Sequence, residues 1–192
     1  MTPVKKIVLA SASPRRISLM KEWGFSCIVT PSHIRENTRF IRPSAIVKDL
    51  AVRKASAVAL TIDSGIVLGA DTIVVLNGAI IGKPKNHADA IRILKALSGS
   101  FHAVYTGIAL IDAASGAQVV DYDVARVKMR RFDPAEITGL AGKHLDKAGA
   151  YAVQETEDRF VDSIKGDYYT VVGLPKKKLF ECLNKMSALL KI

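Results

Sequence analysis

The chain has 192 residues, 49% of them hydrophobic, with 28 Lys and Arg against 18 Asp and Glu, a formal net charge of +10. That length supports one globular domain over residues 1–192 with its own core, and no apolar run nears the roughly 20 residues of a membrane helix. The charge excess points to an anionic partner, for which a polyphosphate, a nucleic acid and a membrane surface all qualify.

Residues Ile7 to Ala10 are a short apolar run that predicts a strand. Lys5, Lys6 and Ala10-Ser11-Ala12 imitate a signal peptide and its cleavage site, but the apolar part falls far short of the about 7–15 residues required, so a cytoplasmic protein that keeps its N-terminus is expected. Ser13 suits a helix N-cap, Pro14 the first helical position and Gly24 the stop after Trp23. A second helix is predicted from Pro43 to about Leu60. Residues Ile66 to Ile81 are β-branched and carry Asn77-Gly78, a strong signal for a hairpin. A helix from Asn86 to Leu97 closes at Ser98-Gly99, and Asp133-Pro134-Ala135-Glu136 reads as a capping box opening another. Val104 to Ile111, Gln118 to Met129, Arg159 to Ile164 and Tyr169 to Val172 are read as strands, and an amphipathic stretch follows Lys176. No linker or repeat divides this order, which predicts an α/β domain with a mixed twisted sheet and flanking helices.

Several residues break the local rules. The stretch LASASPRR sets two serines and two arginines at the start of a helix, where free N–H groups and the positive dipole end make an anion site; Ser11, Ser13, Arg15 and Arg16 add donors. An exposed first turn with solvated arginines is the alternative. Asp71 interrupts the apolar run IVLGADTIVVL, where a lone carboxylate would cost several kcal/mol and so needs a cation, a metal or a catalytic purpose. Lys54 falls on the apolar face made by Val47, Leu50, Ala51 and Val58, either turned inward or snorkelling at its edge. Lys83 projects from Gly82-Lys83-Pro84, a weak signal by itself. Gln154 follows the small-residue stretch DKAGAYAVQ.

Cys27 and Cys182 lie far apart without a metal-ligand pattern and read as buried free thiols. The histidines at 33, 87, 102 and 144 lack ligand spacing and read as surface or capping residues. Lys176-Lys177-Lys178 reads as a solvated face rather than a nucleic-acid contact, and neither a Walker loop nor a dinucleotide fingerprint occurs.

Taken together, LASASPRR, GADTIVVLNGAIIGKP, LSGSFHAVYTG, DKAGAYAVQ and GDYYTVVGLP strongly resemble the Maf family of nucleoside triphosphate pyrophosphatases, in order over nearly the whole chain. The resemblance implies two lobes around a cleft, as in inosine triphosphate pyrophosphatases, and hydrolysis between the α- and β-phosphates assisted by Mg²⁺ or Mn²⁺. It places the catalytic aspartate at Asp71, the family lysines at Lys54 and Lys83, and the phosphate grip at Ser11, Arg15 and Arg16. Where the family has paired acids, this chain has Arg35-Glu36, so Glu36 with Asp71 is the expected metal set; Glu155 stands where the family has glycine. Arg15, Thr72 and Gln154 match the branch acting on dTTP and UTP. The other readings are the 7-methyl-GTP branch, a broad activity on modified nucleotides, and a non-catalytic regulator of septum formation. No nucleic-acid or membrane partner is expected, and oligomeric state is left open, with a homodimer as one option.

Overall fold

The structure is a computed structural model that describes residues 6–145, 147–151, 153 and 160–191. Its elements are β1 (Ile7–Leu9), α1 (Pro14–Glu22), β2 (Cys27–Val29), α2 (Pro43–Ala59), β3 (Ile66–Leu76), β4 (Ala79–Ile81), α3 (His87–Leu97), β5 (Phe101–Asp112), β6 (Gln118–Met129), α4 (Pro134–Leu140), β7 (Val161–Lys165), α5 (Tyr168–Val172) and α6 (Lys176–Leu190), with a 3₁₀ turn at Ala148–Ala150. The strands form one mixed sheet in the order β2-β1-β3-β5-β6-β7, and β4 also pairs with β3. β1 runs parallel to β2 and β3, and the remaining pairs are antiparallel.

The expected punctuation is largely in place. Ser13 precedes α1, Gly24 follows it at φ +81°, and Asn77 and Gly78 turn the β3–β4 hairpin with positive φ. Asn86 caps α3 by accepting from the Asp89 amide, and the Asp133–Glu136 capping box is complete. The expected strand at Tyr169 to Val172 is instead the helix α5. The Asp167 carboxylate accepts from the Tyr169 amide at 2.9 Å, and Gly173 ends the turn at φ +113°. Caps at both ends thus override β-branched content.

Side chains alternate along β3, so its two faces carry different jobs. On one face, Leu68 and Ala70 pack with Met20, Leu179 and Met186 of α1 and α6, while Val74 and Leu76 pack with Leu94 and Leu97 of α3. These are the cores of two lobes, and polar Thr72 sits between them. On the other face, α2 lies directly on the strands: a Cβ added to Gly69 would stand 2.2 Å from the Ala51 carbonyl oxygen, and one on Gly107 2.3 Å from that of Val47.

One edge of β3 pairs with β5 along nearly its whole length. The other edge is shared, since β1 takes Ile66–Leu68 and β4 takes Val74–Leu76. Among the described residues, 69–73 therefore have no strand partner on that edge, and there the sheet opens into a cleft of about 680 Å³. Because the cleft meets the strand edge-on, it is lined by Asp71 from one face and Thr72 from the other.

Cys182 is buried as expected and Cys27 is half-buried. His102 and His144 correct the expectation of surface histidines: they are 3% and 2% exposed, each packed edge-on against an aromatic ring. Lys178 pairs with Glu181 and Asp121, and Lys176 lies over Trp23, so much of the lysine run is engaged along α6. Among the described residues, no helix is long and apolar enough to cross a membrane.

Candidate active site

The chain leaves β1 at Leu9 and enters α1 within five residues, which carries Ser11 to Arg16 along the cleft. Ser13 occupies the N-cap position without a side-chain cap; its amide donates instead to Ser11 Oγ at 3.2 Å. Arg16 Nη1 donates to the same oxygen at 3.3 Å. A hydroxyl has two acceptor lone pairs and one proton, so with both lone pairs engaged Ser11 has only its proton left to offer a ligand. Arg16 also donates from Nε to the Gly173 carbonyl at 2.8 Å and from Nη2 to Thr72 Oγ1 at 3.1 Å. Three of its five N–H donors are thus held by protein, leaving two.

Asp71 is 5% exposed and its Oδ1 accepts from Lys54 Nζ at 2.6 Å. The same ammonium donates to Glu36 Oε1 at 2.7 Å. Lys54 is itself 8% exposed, so it points inward rather than snorkelling. Its reach depends on the close approach of α2, since Gly107 stands opposite Asp71 in the β3–β5 register and Gly69 is next along the same face.

The two carboxylates are driven apart. Burial raises the Asp71 pKa above the ordinary value despite the opposing charges of Lys54 and Arg16. At Glu36, burial acts upward too, but the hydrogen bond and charge of Lys54, with the charges of Lys83 and Arg16, hold the carboxyl below its usual range. Environments that separate two acids in this way suit one to proton transfer and the other to remaining an anion.

Lys83 and Arg15 also line the cleft. Thr72 Oγ1 accepts from Arg16 and lies 2.9 Å from Thr106 Oγ1, which donates to the Thr170 carbonyl at 2.7 Å. Proton direction therefore runs from Arg16 through Thr72 to Thr106. Gln154 and Glu155 lie outside the described residues. Among the described residues, no group of three or more His, Cys, Asp and Glu side chains is placed to hold a metal ion. Asp71 and Glu36 nevertheless converge on one nitrogen, and two carboxylates are what Mg²⁺ takes when phosphates and water complete its shell.

The family model described as Maf-like protein matches residues 6–186. The chain belongs to the Maf family. It is 45% identical over 184 residues to a "dTTP/UTP pyrophosphatase" of Desulforamulus reducens, covering 94% of this chain and 96% of that one. A protein of the same name from Elusimicrobium minutum is 40% identical over 181 residues, again 94% and 96% of the two chains. Among solved structures, the Staphylococcus aureus Ham1 protein aligns with a TM-score of 0.50 at 16% identity, over 97% of this chain and 98% of that one. That last likeness shows the fold alone.

In this Maf chain, residues not singled out from sequence complete the site. Gly69 and Gly107 could have been found, because glycine inside a β-branched strand signals close backbone approach. Arg53 donates to the carbonyl oxygens of Arg35 and Asn37, on either side of Glu36. An arginine beside Lys54 on a helix carries no sequence signal for that contact.

Proposed function

We propose that this Maf chain is a nucleoside triphosphate pyrophosphatase that cleaves dTTP and UTP to the monophosphate and pyrophosphate. The observation that carries this reading is Lys54 between Asp71 and Glu36 in a cleft edged by Ser11, Arg16 and Lys83. Asp71, with its raised pKa, takes a proton from water as the water oxygen bonds to the α-phosphorus. The bridging P–O bond breaks, and the charge left on pyrophosphate is met by Lys83, Arg15 and Arg16. Ser11 donates to a phosphate oxygen, and Lys54 keeps Asp71 and Glu36 in place. Glu36 and Asp71 would hold a divalent cation, which would supply Lewis-acid polarisation of the phosphate oxygens.

Base choice rests on Arg15, Thr72 and Gln154, the pattern shared with the dTTP and UTP branch. A neutral amide such as Gln154 can both donate to a pyrimidine carbonyl and accept from its N–H. The 7-methyl-GTP reading lacks that match, and a purely binding regulator leaves the buried charges of Asp71 and Lys54 without a purpose. The enzyme acts on free nucleotides in the cytoplasm.

Pyrophosphate release from dTTP, UTP, ATP, GTP and 7-methyl-GTP, with Mg²⁺ and with Mn²⁺, tests the proposal. dTTP and UTP are expected well above the rest. A preference for 7-methyl-GTP would move the chain to the other branch, and no release from any of them would remove the enzymatic reading.

A further inference from the structure

Val74 of β3, Val104 of β5 and Val171 of α5 line the cleft and share one apolar cluster with Tyr151. Tyr151 also lines the cleft, and its hydroxyl lies 2.7 Å from Nε2 of His102. His102 is on β5, two residues before Val104, and is 3% exposed. Its Nδ1 is buried and has no hydrogen-bond partner among the described residues. Whichever nitrogen carries the proton, Nδ1 stays bare, and a bare buried lone pair is tolerated better than a bare buried N–H. The proton then belongs on Nε2, which donates to the Tyr151 oxygen. The tyrosine cannot return its own proton to His102 and must donate elsewhere.

We infer that Tyr151 is a substrate-binding donor for the nucleoside part of the nucleotide, with His102 as the positioning residue that fixes its proton. This rests on the proposed function and extends it to a residue that the charged part of the cleft does not use. The acceptor is a carbonyl oxygen of the base, because the clustered valines exclude the triphosphate and favour a flat apolar ring. Arg15 lies close enough for its charge to act on the Tyr151 hydroxyl, so the donor lies within reach of the charged part of the cleft. Burial supports the assignment in two ways. It drives the His102 pKa down to about 4, keeping the ring neutral, and it raises that of Tyr151, keeping the phenol protonated.

Two measurements on the full-length protein test this. Long-range ¹H–¹⁵N spectra should show His102 neutral and protonated at Nε2; the Nδ1–H form would overturn the inference. Binding of the α,β-methylene analogue of dTTP, read in the presence of Mg²⁺, does not depend on turnover. Tyr151→Phe keeps the ring and should raise its Kd about tenfold, the worth of one good hydrogen bond, with the Kd of pyrophosphate unchanged. His102→Leu should match that loss, while His102→Gln, which keeps an N–H donor, should recover most of it. An unchanged analogue Kd in Tyr151→Phe, or a pyrophosphate Kd that rises with it, would overturn the inference. A wild type that binds the analogue as expected yet releases no pyrophosphate from dTTP would sink the proposed activity and leave this binding role standing.

Discussion

In one part of the cleft Lys54 stands between two carboxylates, and in another Val74, Val104 and Val171 share an apolar cluster with Tyr151. The charged part is a set of mutual compensations. Asp71 is bearable at 5% exposure because Lys54 faces it, and Lys54 is bearable at 8% because two anions face it. Removing one member leaves another buried without its partner, so losses there should be abrupt. The apolar part depends on contact area and on the Tyr151 hydroxyl, and its losses should be graded.

The strongest test of that contrast is Asp71→Asn, which keeps shape and removes the proposed base. Pyrophosphate release from dTTP should fall by about 10²–10⁴, the usual worth of a general base, while circular dichroism stays that of the wild type. Near-wild-type turnover would end the assignment. The same residue sets a pH dependence. A base works only when ionised, and burial lifts the Asp71 pKa above its ordinary 3.8, so kcat/KM should fall as pH drops, on a limb displaced above that value. Replacing Lys54 by Gln removes a charge that opposes the rise, and should move the limb to still higher pH.

This contrast also explains what could be read from the sequence. Asp71 in an apolar strand, Lys54 on an apolar helix face and Arg15-Arg16 in a first helical turn each contradict their surroundings, so each was visible without a structure. Val74, Val104 and Val171 contradict nothing, because a valine facing a cleft and one facing a core look alike in sequence. His102 was misread because a histidine's burial depends on distant packing partners, here Tyr151. The helix at Tyr168–Val172 was missed because two capping contacts outweighed local propensity. Periodicity and turn residues gave the α/β order, but not the shared edge of β3 that creates the opening, since strand pairing joins segments far apart in the chain.

Glu36→Gln tests whether the second acid belongs to the same set of compensations. Its carboxyl is held below the ordinary range, so it remains an anion throughout the working pH range and is suited to hold a cation. The neutral amide should raise the Mg²⁺ concentration for half-maximal rate by about 10–100-fold, as loss of metal-supporting contacts does. An unchanged metal titration would assign that task to another group.

A smaller effect is expected from Gly107→Ala, which reaches the charged part through packing alone. The new Cβ would meet the Val47 carbonyl carbon at 2.4 Å and the Lys48 amide nitrogen at 2.9 Å, backbone atoms that cannot rotate away. The helix must lift from the sheet and take Lys54 with it. Overpacking of this kind costs about 1–3 kcal/mol, several degrees in Tm for a chain of this size, and turnover should fall with it. A Tm equal to that of the wild type would show that α2 can shift freely.

The smallest expected effect sharpens the comparison most, because it concerns a residue outside the cleft lining. Arg53 precedes Lys54 on α2, and its guanidinium donates to the Arg35 carbonyl at 2.6 Å and to the Asn37 carbonyl. The segment between β2 and α2 has no helix or strand to hold it, so these two contacts fix the backbone on both sides of Glu36. Helix α2 therefore grips Glu36 twice, by its side chain through Lys54 and by its flanking carbonyls through Arg53. Arg53→Ala leaves the first grip intact, so the half-saturating Mg²⁺ concentration should rise only about threefold, less than one full hydrogen bond is worth, with kcat at saturating metal preserved. Arg53→Lys offers a single ammonium that cannot span both carbonyls as the planar fork does, and should fall near the alanine variant rather than near the wild type. If Arg53→Ala instead lowers kcat with no change in metal response, the loop serves the reacting groups directly, and the charged part extends further from the cleft than the Lys54 contacts indicate.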